Sequence, residues 1–289
     1  MAFAGLLILA IKASILLMVL SIGMSSTLQD ATAMFRRPRL LLRSALAMYG
    51  VMFVFAVVVV QVLDLHPAIE IALVALSLSP IPPLLPKKVL HAGGPMPAAV
   101  SLVTAMSVLA IVIVPLGIAF VDLLATRRDL SMPVSRVAMV IVAMILAPLA
   151  VGIGVHRAWP RFTDRVAPPL RRAANISLGV AVIPLLVVIW PRIAAMLPTA
   201  MILVLVLFAV VGMAVGHVLA DPTESHREVL ALSTSARHPG MALAIAGFNF
   251  PDERGVIAVV ACHVIISGVL AIPYLKWQEK RAARGASTA

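Results

Sequence analysis

The sequence predicts an all-α membrane protein with about nine transmembrane helices. Of its 289 residues, 62% are hydrophobic and 12% are charged, and the mean hydropathy of +1.09 lies far outside the range of soluble globular domains. A helix needs roughly 20 mostly apolar residues to cross the hydrocarbon layer. Nine stretches come close to that length: about 5–25, 41–63, 67–91, 98–121, 134–155, 175–190, 199–219, 229–248 and 255–274.

The connections between these stretches are too short to form a soluble domain. The longest polar connection, 156–172, has fewer than twenty residues and is rich in proline and arginine. Residues 276–289 form a basic tail, whose composition indicates a disordered, cytoplasmic end. We therefore expect residues 1–289 to form one membrane unit.

The distribution of basic residues predicts the orientation of the chain. With the N-terminus outside, sixteen lysines and arginines fall in cytoplasmic segments and five fall outside. This bias predicts a multi-pass protein of the cytoplasmic membrane with a cytoplasmic C-terminus. It also explains the net charge of +11 by orientation and by contact with anionic lipid, so no nucleic-acid partner is needed.

Two of the apolar stretches have proline-rich interruptions in their middle, and we predict that each consists of two half-helices. The alternative for each is a proline kink that neighbouring helices satisfy. A pair of interrupted spans at corresponding positions is typical of the binding site of a transporter with inverted repeats. The interruptions are "SPIPPLLPKK" (79–88), with Pro80, Pro82, Pro83 and Pro86, and "SARHPG" (235–240), with Pro239 and Gly240.

Cationic residues accompany both breaks. Arg237 lies near the middle of its stretch, where an arginine costs at least roughly 2.5–3.5 kcal/mol and needs a partner or a water-filled cavity. Two roles are open for it: binding a substrate, or pairing with backbone carbonyls. Lys87 falls inside the protein if the second half-helix of the first break extends to His91. Otherwise it lies with Lys88 at the cytoplasmic surface.

Three histidines are candidates for proton coupling: His238, His91 and His263. For each, the alternative is a hydrogen-bonded histidine of the protein core. The single cysteine, Cys262, excludes an intramolecular disulfide and a cysteine-based metal cluster, and we expect it to serve packing.

The positions of the acidic residues argue for an anionic substrate. All twelve aspartates and glutamates fall in connections or at the ends of apolar stretches, so none is placed to hold a cation at mid-membrane. Arg237 and the N-termini of two half-helices remain, and all of these attract anions. No enzyme motif, metal site or cofactor site is present in the sequence.

Three sequence motifs resemble the sodium/bile-acid cotransporter family. They are "SIGMSSTLQDATAMFRRPRLLLRSALAMYG" (21–50), "SPIPPLLPK" (79–87) and "STSARHPGMALAIAGFNFP" (233–251). The resemblance implies a panel domain and a core domain in which the two broken helices cross, with the substrate bound at the crossing. It also implies an outside N-terminus for members with nine spans.

The chain departs from the family at the positions that bind sodium. Ser233, Arg237 and His238 stand where the family has Glu, Gln and Asn, and Pro86 stands where it has the Asn of a Ser-Asn-Val motif. We hypothesise that Arg237, with or without Lys87, supplies the positive charge that sodium supplies elsewhere. The substrate-binding residues expected on this basis are Ser79, Lys87, Ser233, Thr234, Arg237 and His238.

The expected function is secondary active or facilitative transport of a small organic anion by alternating access, without a conventional sodium site. One alternative is sodium-coupled symport of an organic anion of the bile-acid type. Another is a membrane receptor that binds its ligand without transport. The sequence leaves open the substrate, the coupling ion, the direction of transport and the oligomeric state.

Overall fold

A computed structural model describes residues 2–82, 96–124, 133–195, 199–220, 226–253 and 255–286, and it contains no strand within these ranges. The helices in chain order are α1 (Ala2–Gly23), α2 (Leu28–Thr32), α3 (Pro38–Val62), α4 (Pro67–Leu78), α5 (Met96–Leu124), α6 (Val134–Ala158), α7 (Pro160–Ala195), α8 (Thr199–Leu219), α9 (His226–Ser235), α10 (Pro239–Asn249) and α11 (Gly255–Ala286).

The all-α membrane class predicted from the sequence is confirmed. Helices α3, α5, α6, α8 and α11 are long and apolar enough to cross a membrane. Helix α1 and the short helical segment after it form a sixth candidate, bent by 105°. The described residues therefore contain five such helices, or up to six, and the predicted number of nine is not confirmed.

Two segments that the sequence assigned to connections or tails are helical. Helix α7 begins at Pro160, well before the predicted start near 175, because proline suits the first turn of a helix. In its first turns the Thr163 hydroxyl donates to the Pro160 carbonyl at 2.8 Å, and its Oγ1 lies 2.9 Å from Nδ1 of His156. Helix α11 runs on to Ala286, since the tail contains good helix formers; the expectation of disorder is wrong as far as that residue.

The chain divides into two compact units. Unit 1 comprises residues 1–37 and 100–196, and in it α1 packs against α6 and α7. Unit 2 comprises residues 38–99 and 197–289, and in it α8 packs against α9 and α11, while α4 packs against α3, α10 and α11. Both predicted breaks lie in unit 2, so the candidate site belongs to a single unit.

Two helices contain a widened π-helical turn. In α6 the turn covers Val142–Leu146, and the Ala147 N–H donates to the Val142 carbonyl five residues earlier. Pro148 follows directly and has no N–H for the regular helical ladder, which accounts for the irregularity. In α3 the turn covers Leu46–Val51, where the sequence has no proline, so its cause must lie elsewhere in the fold.

Candidate functional site at the helix breaks

The first break begins where α4 ends. Residues Ser79 to Pro82 are buried and not helical. Pro80 and Pro82 have no N–H with which to continue the helix, and the Ser79 hydroxyl donates back to the Ala75 carbonyl at 2.6 Å. Pro83, Pro86, Lys87, Lys88 and His91 lie outside the described residues, so the second half-helix of this break and the position of Lys87 stay predictions.

The second break separates α9 from α10 and confirms the prediction of two half-helices. Helix α9 ends at Ser235, residues 236–238 are not helical, and Pro239 is the first residue of α10. His238 is the N-cap: its Nδ1 accepts a hydrogen bond from the Met241 N–H at 3.2 Å. Gly240 makes room for this ring, because a Cβ there would lie 3.1 Å from Cε1 of His238.

The two breaks contact each other directly through their backbones. The His238 N–H donates to the Pro80 carbonyl at 2.9 Å. Each group belongs to a non-helical segment and would otherwise be an unsatisfied polar group inside unit 2. The bond therefore fixes the start of α10 against the end of α4.

Arg237 joins the same junction through its side chain. It is 2% exposed, Nη2 donates to the Met48 carbonyl at 2.8 Å, and Nη1 donates to the Ser79 carbonyl at 3.3 Å. Of the two roles left open by the sequence, the described contacts correspond to pairing with backbone carbonyls. The Nε atom is buried and has no hydrogen-bond partner among the described residues.

The contact with Arg237 accounts for the irregular turn in α3. Met48 lies within the π-helical turn, where the regular hydrogen-bond ladder is altered. Its carbonyl accepts from a guanidinium, and a hydrogen bond to a charged donor is stronger than one between neutral groups. A charged group 189 residues later in the chain thus stabilises this local distortion.

The hydroxyl groups predicted to bind substrate make hydrogen bonds within their own helices. Ser233 donates to the Val229 carbonyl, and Thr234 donates to the Leu230 carbonyl at 2.7 Å. Both side chains are fully buried. In contrast, the buried hydroxyl of Ser235 has no partner in the part of the chain that the structure describes, and the sequence did not single out this residue.

Helix α8 packs against the half-helix α9 with the two backbones in close contact. A Cβ at Gly212 would lie 2.8 Å from the Thr234 carbonyl oxygen, and one at Gly216 would lie 2.5 Å from the Leu230 carbonyl oxygen. The two glycines are four residues apart, so they form one smooth strip on α8. Only glycine permits this approach of the two backbones.

The remaining titratable candidates lie on α11 or outside the described residues. His263 is fully buried on α11, with its ring edge-on to Phe208 at a centroid distance of 5.4 Å. Cys262 is a buried free thiol. Within the described ranges, no group of three or more His, Cys, Asp or Glu residues could hold a metal ion. Proton coupling through His238, His91 or His263 stays a prediction.

The sequence therefore identified Arg237, His238 and the breaks, but it missed two backbone partners. The Met48 carbonyl could not be identified as a partner, because the residue type does not indicate which backbone carbonyl accepts a hydrogen bond. Gly50 within an apolar helix is only a weak sign of irregular backbone. The Pro80 carbonyl could have been suspected, because a break leaves polar backbone groups that need partners.

Comparison with known protein families matches residues 13–222 to the sodium bile acid symporter family. The matched region is more than half of the chain; it includes α3 and the first break and ends before α9. No curated protein matches the sequence. The family match and the apolar helices indicate a multi-pass membrane transporter of a small molecule rather than an enzyme. The chain belongs to the sodium bile acid symporter family.

Proposed function

We propose that this chain is a secondary active or facilitative transporter of a small organic anion that works by alternating access without a conventional sodium site. The observation that carries the proposal is the position of Arg237, whose guanidinium donates to carbonyls of α3 and of the first break. Those carbonyl oxygens are the kind of ligand that sodium takes in a protein. In this proposal the guanidinium of Arg237, which is a permanent cation, takes the place that a sodium ion would have beside these carbonyl oxygens.

The charge at this junction favours an anion. Both described partners of Arg237 are neutral carbonyl oxygens, so they offset its charge only partly. The second break also begins α10, and a helix N-terminus carries partial positive charge. We propose that the substrate reaches this junction in another state of the cycle and contacts Arg237 and His238. Ser79, Ser233, Thr234 and, from the undescribed part, Lys87 complete the proposed site.

The proposal predicts transport that does not depend on sodium. Organic anions that raise the thermal midpoint of the purified protein would be tested for uptake into proteoliposomes, with sodium or N-methylglucamine as the external cation. We expect equal initial rates with the two cations. Uptake that a sodium gradient stimulates would instead support sodium symport, which the name of the family suggests. Binding without any flux would support a receptor.

A rescue experiment tests the role of Arg237 as a built-in cation. Replacement of Arg237 by Ala removes the guanidinium that donates to two buried carbonyls. We expect free guanidinium ion at millimolar concentration to restore part of the lost uptake. Arg171→Ala is the matched control, because its partners in unit 1 are partly accessible to water and need no rescue. Equal responses of the two variants would contradict the proposal.

A further inference from the structure

The chain turns sharply after α1, at a place that the proposed transport mechanism does not use. The axis of residues Leu28–Arg36 makes an angle of 105° with the axis of Leu9–Gly23. The predicted span 5–25 makes α1 the membrane-crossing part of this bent pair. Because a membrane-spanning helix tilts by only about 20° on average, a turn of this size would then direct the chain along the membrane surface. We name residues 27–37 the elbow.

Side-chain hydrogen bonds hold the turn that leads into the elbow. Thr27 and Asp30 cap each other reciprocally: the Thr27 N–H donates to Oδ2 of Asp30 at 2.8 Å, and the Asp30 N–H donates to Oγ1 of Thr27 at 3.1 Å. Just before it, Nη2 of Arg171 donates to Oγ of Ser25 at 2.8 Å. The end of α1 and the start of the elbow are therefore held by side chains as well as by backbone.

The elbow has an apolar face that the protein does not cover. Ala31 and Met34 pack inward at 4% and 2% exposure. Leu28 and Phe35 are 61% and 42% exposed. A segment along the membrane surface with an uncovered apolar face fits the boundary between headgroups and acyl chains.

The C-terminal end of the elbow consists of arginines. Arg36 and Arg37, its last two residues, are exposed. The only acid between residues 27 and 43 is Asp30, which is held in the cap. A guanidinium donates two parallel hydrogen bonds to a phosphate, so these arginines suit phosphodiester groups.

From this combination we infer that the elbow lies in the headgroup region and binds the phosphate of anionic phospholipids, with Leu28 and Phe35 inserted at the acyl boundary. The lipid is the occupant because a soluble phosphate would not require the uncovered apolar side chains. The inference does not depend on which substrate the protein carries.

The first test measures the depth of the elbow. Cys262 is the only cysteine, so a Cys262→Ala background accepts single spin labels at Leu28→Cys and at Phe35→Cys. Accessibility to oxygen and to a nickel chelate gives the depth of each label in the bilayer. We expect both labels just below the phosphates at equal depth. A helix that continued along α1 would separate them by about 10 Å over seven residues; that separation, or two labels in water, would overturn the inference.

The second test measures lipid preference in nanodiscs of phosphatidylcholine with or without phosphatidylglycerol. Arg36→Gln is compared with Arg161→Gln, a matched loss of an exposed arginine in the first turn of α7. An arginine near an anionic surface contributes roughly a fivefold change in affinity, so we expect Arg36→Gln to bind phosphatidylglycerol about fivefold more weakly, as read by native mass spectrometry. Arg161→Gln should bind like wild type. Equal losses in the two variants, or no loss in Arg36→Gln, would overturn the assignment.

Discussion

Arg237 in unit 2 and Arg171 in unit 1 each donate a hydrogen bond of 3.3 Å to a carbonyl at the end of a helix. Arg237 contacts Ser79 at the end of α4, and Arg171 contacts Ser21 in the last turn of α1. Each uses a terminal nitrogen for a second bond of 2.8 Å, and within the described ranges each has a buried Nε without a partner. The chemistry of the two contacts is alike.

Their surroundings differ. Arg237 is 2% exposed, and its second partner is the Met48 carbonyl in a distorted turn of another helix. Arg171 is half-buried, and its second partner is the hydroxyl of Ser25, only four residues from Ser21. Arg171 therefore reinforces one helix end, whereas Arg237 joins α3 to both breaks.

The largest expected effect comes from Arg237→Ala. Two buried carbonyls lose their donor, and each unsatisfied group costs about 1–3 kcal/mol. We expect the free energy of unfolding to fall by about 3 kcal/mol, measured as the thermal midpoint in detergent together with chemical denaturation. Hydrogen exchange should show loss of protection around Leu46–Val51, because the widened turn of α3 loses its partner. Unchanged protection there would contradict our explanation of that turn.

Arg171→Ala should cost less, about 1 kcal/mol, because water can replace the guanidinium at a half-buried site. The same unfolding measurements apply, and exchange should increase at the end of α1 rather than in α3. A loss as large as that of Arg237→Ala would erase the distinction between the two arginines.

The caps beside the two arginines extend the comparison. His238 caps α10 next to Arg237, and Thr27 caps α2 close to the contact of Arg171 with Ser25. Loss of a cap costs typically about 1 kcal/mol, so we expect that loss for His238→Ala and a smaller one for the exposed Thr27→Ala. His238→Asn keeps an acceptor for the Met241 N–H and should recover most of the thermal midpoint. If Asn does not recover it, the ring of His238 has a role beyond capping.

The smallest effect is expected at Gly240. A Cβ there would press on the ring of His238 at 3.1–3.3 Å, so Gly240→Ala should lower the free energy of unfolding by a few tenths of a kcal/mol, with the ring shifted. Gly247→Ala in the same helix is the control, since no atom of a described residue lies within 4 Å of a Cβ built there and alanine favours a helix. If both variants gain stability, the ring of His238 has room to move.

The sequence predicted those parts of the site that follow from local chemistry. Pro80, Pro82 and Pro239 interrupt helices because proline lacks an N–H, and Arg237 in an apolar stretch required a partner. The sequence could not identify that partner, because it is the backbone carbonyl of Met48 and no side-chain pattern marks it. Arg171 was assigned to a polar connection, since the composition of residues 160–174 does not show that they continue a membrane helix.

Gly212 and Gly216 bring α8 into backbone contact with α9, immediately before the second break. Contacts of this kind resist sliding, because no flexible side chain separates the two helices. A movement that opens the break on the α9 side must therefore carry α8 with it as one rigid block.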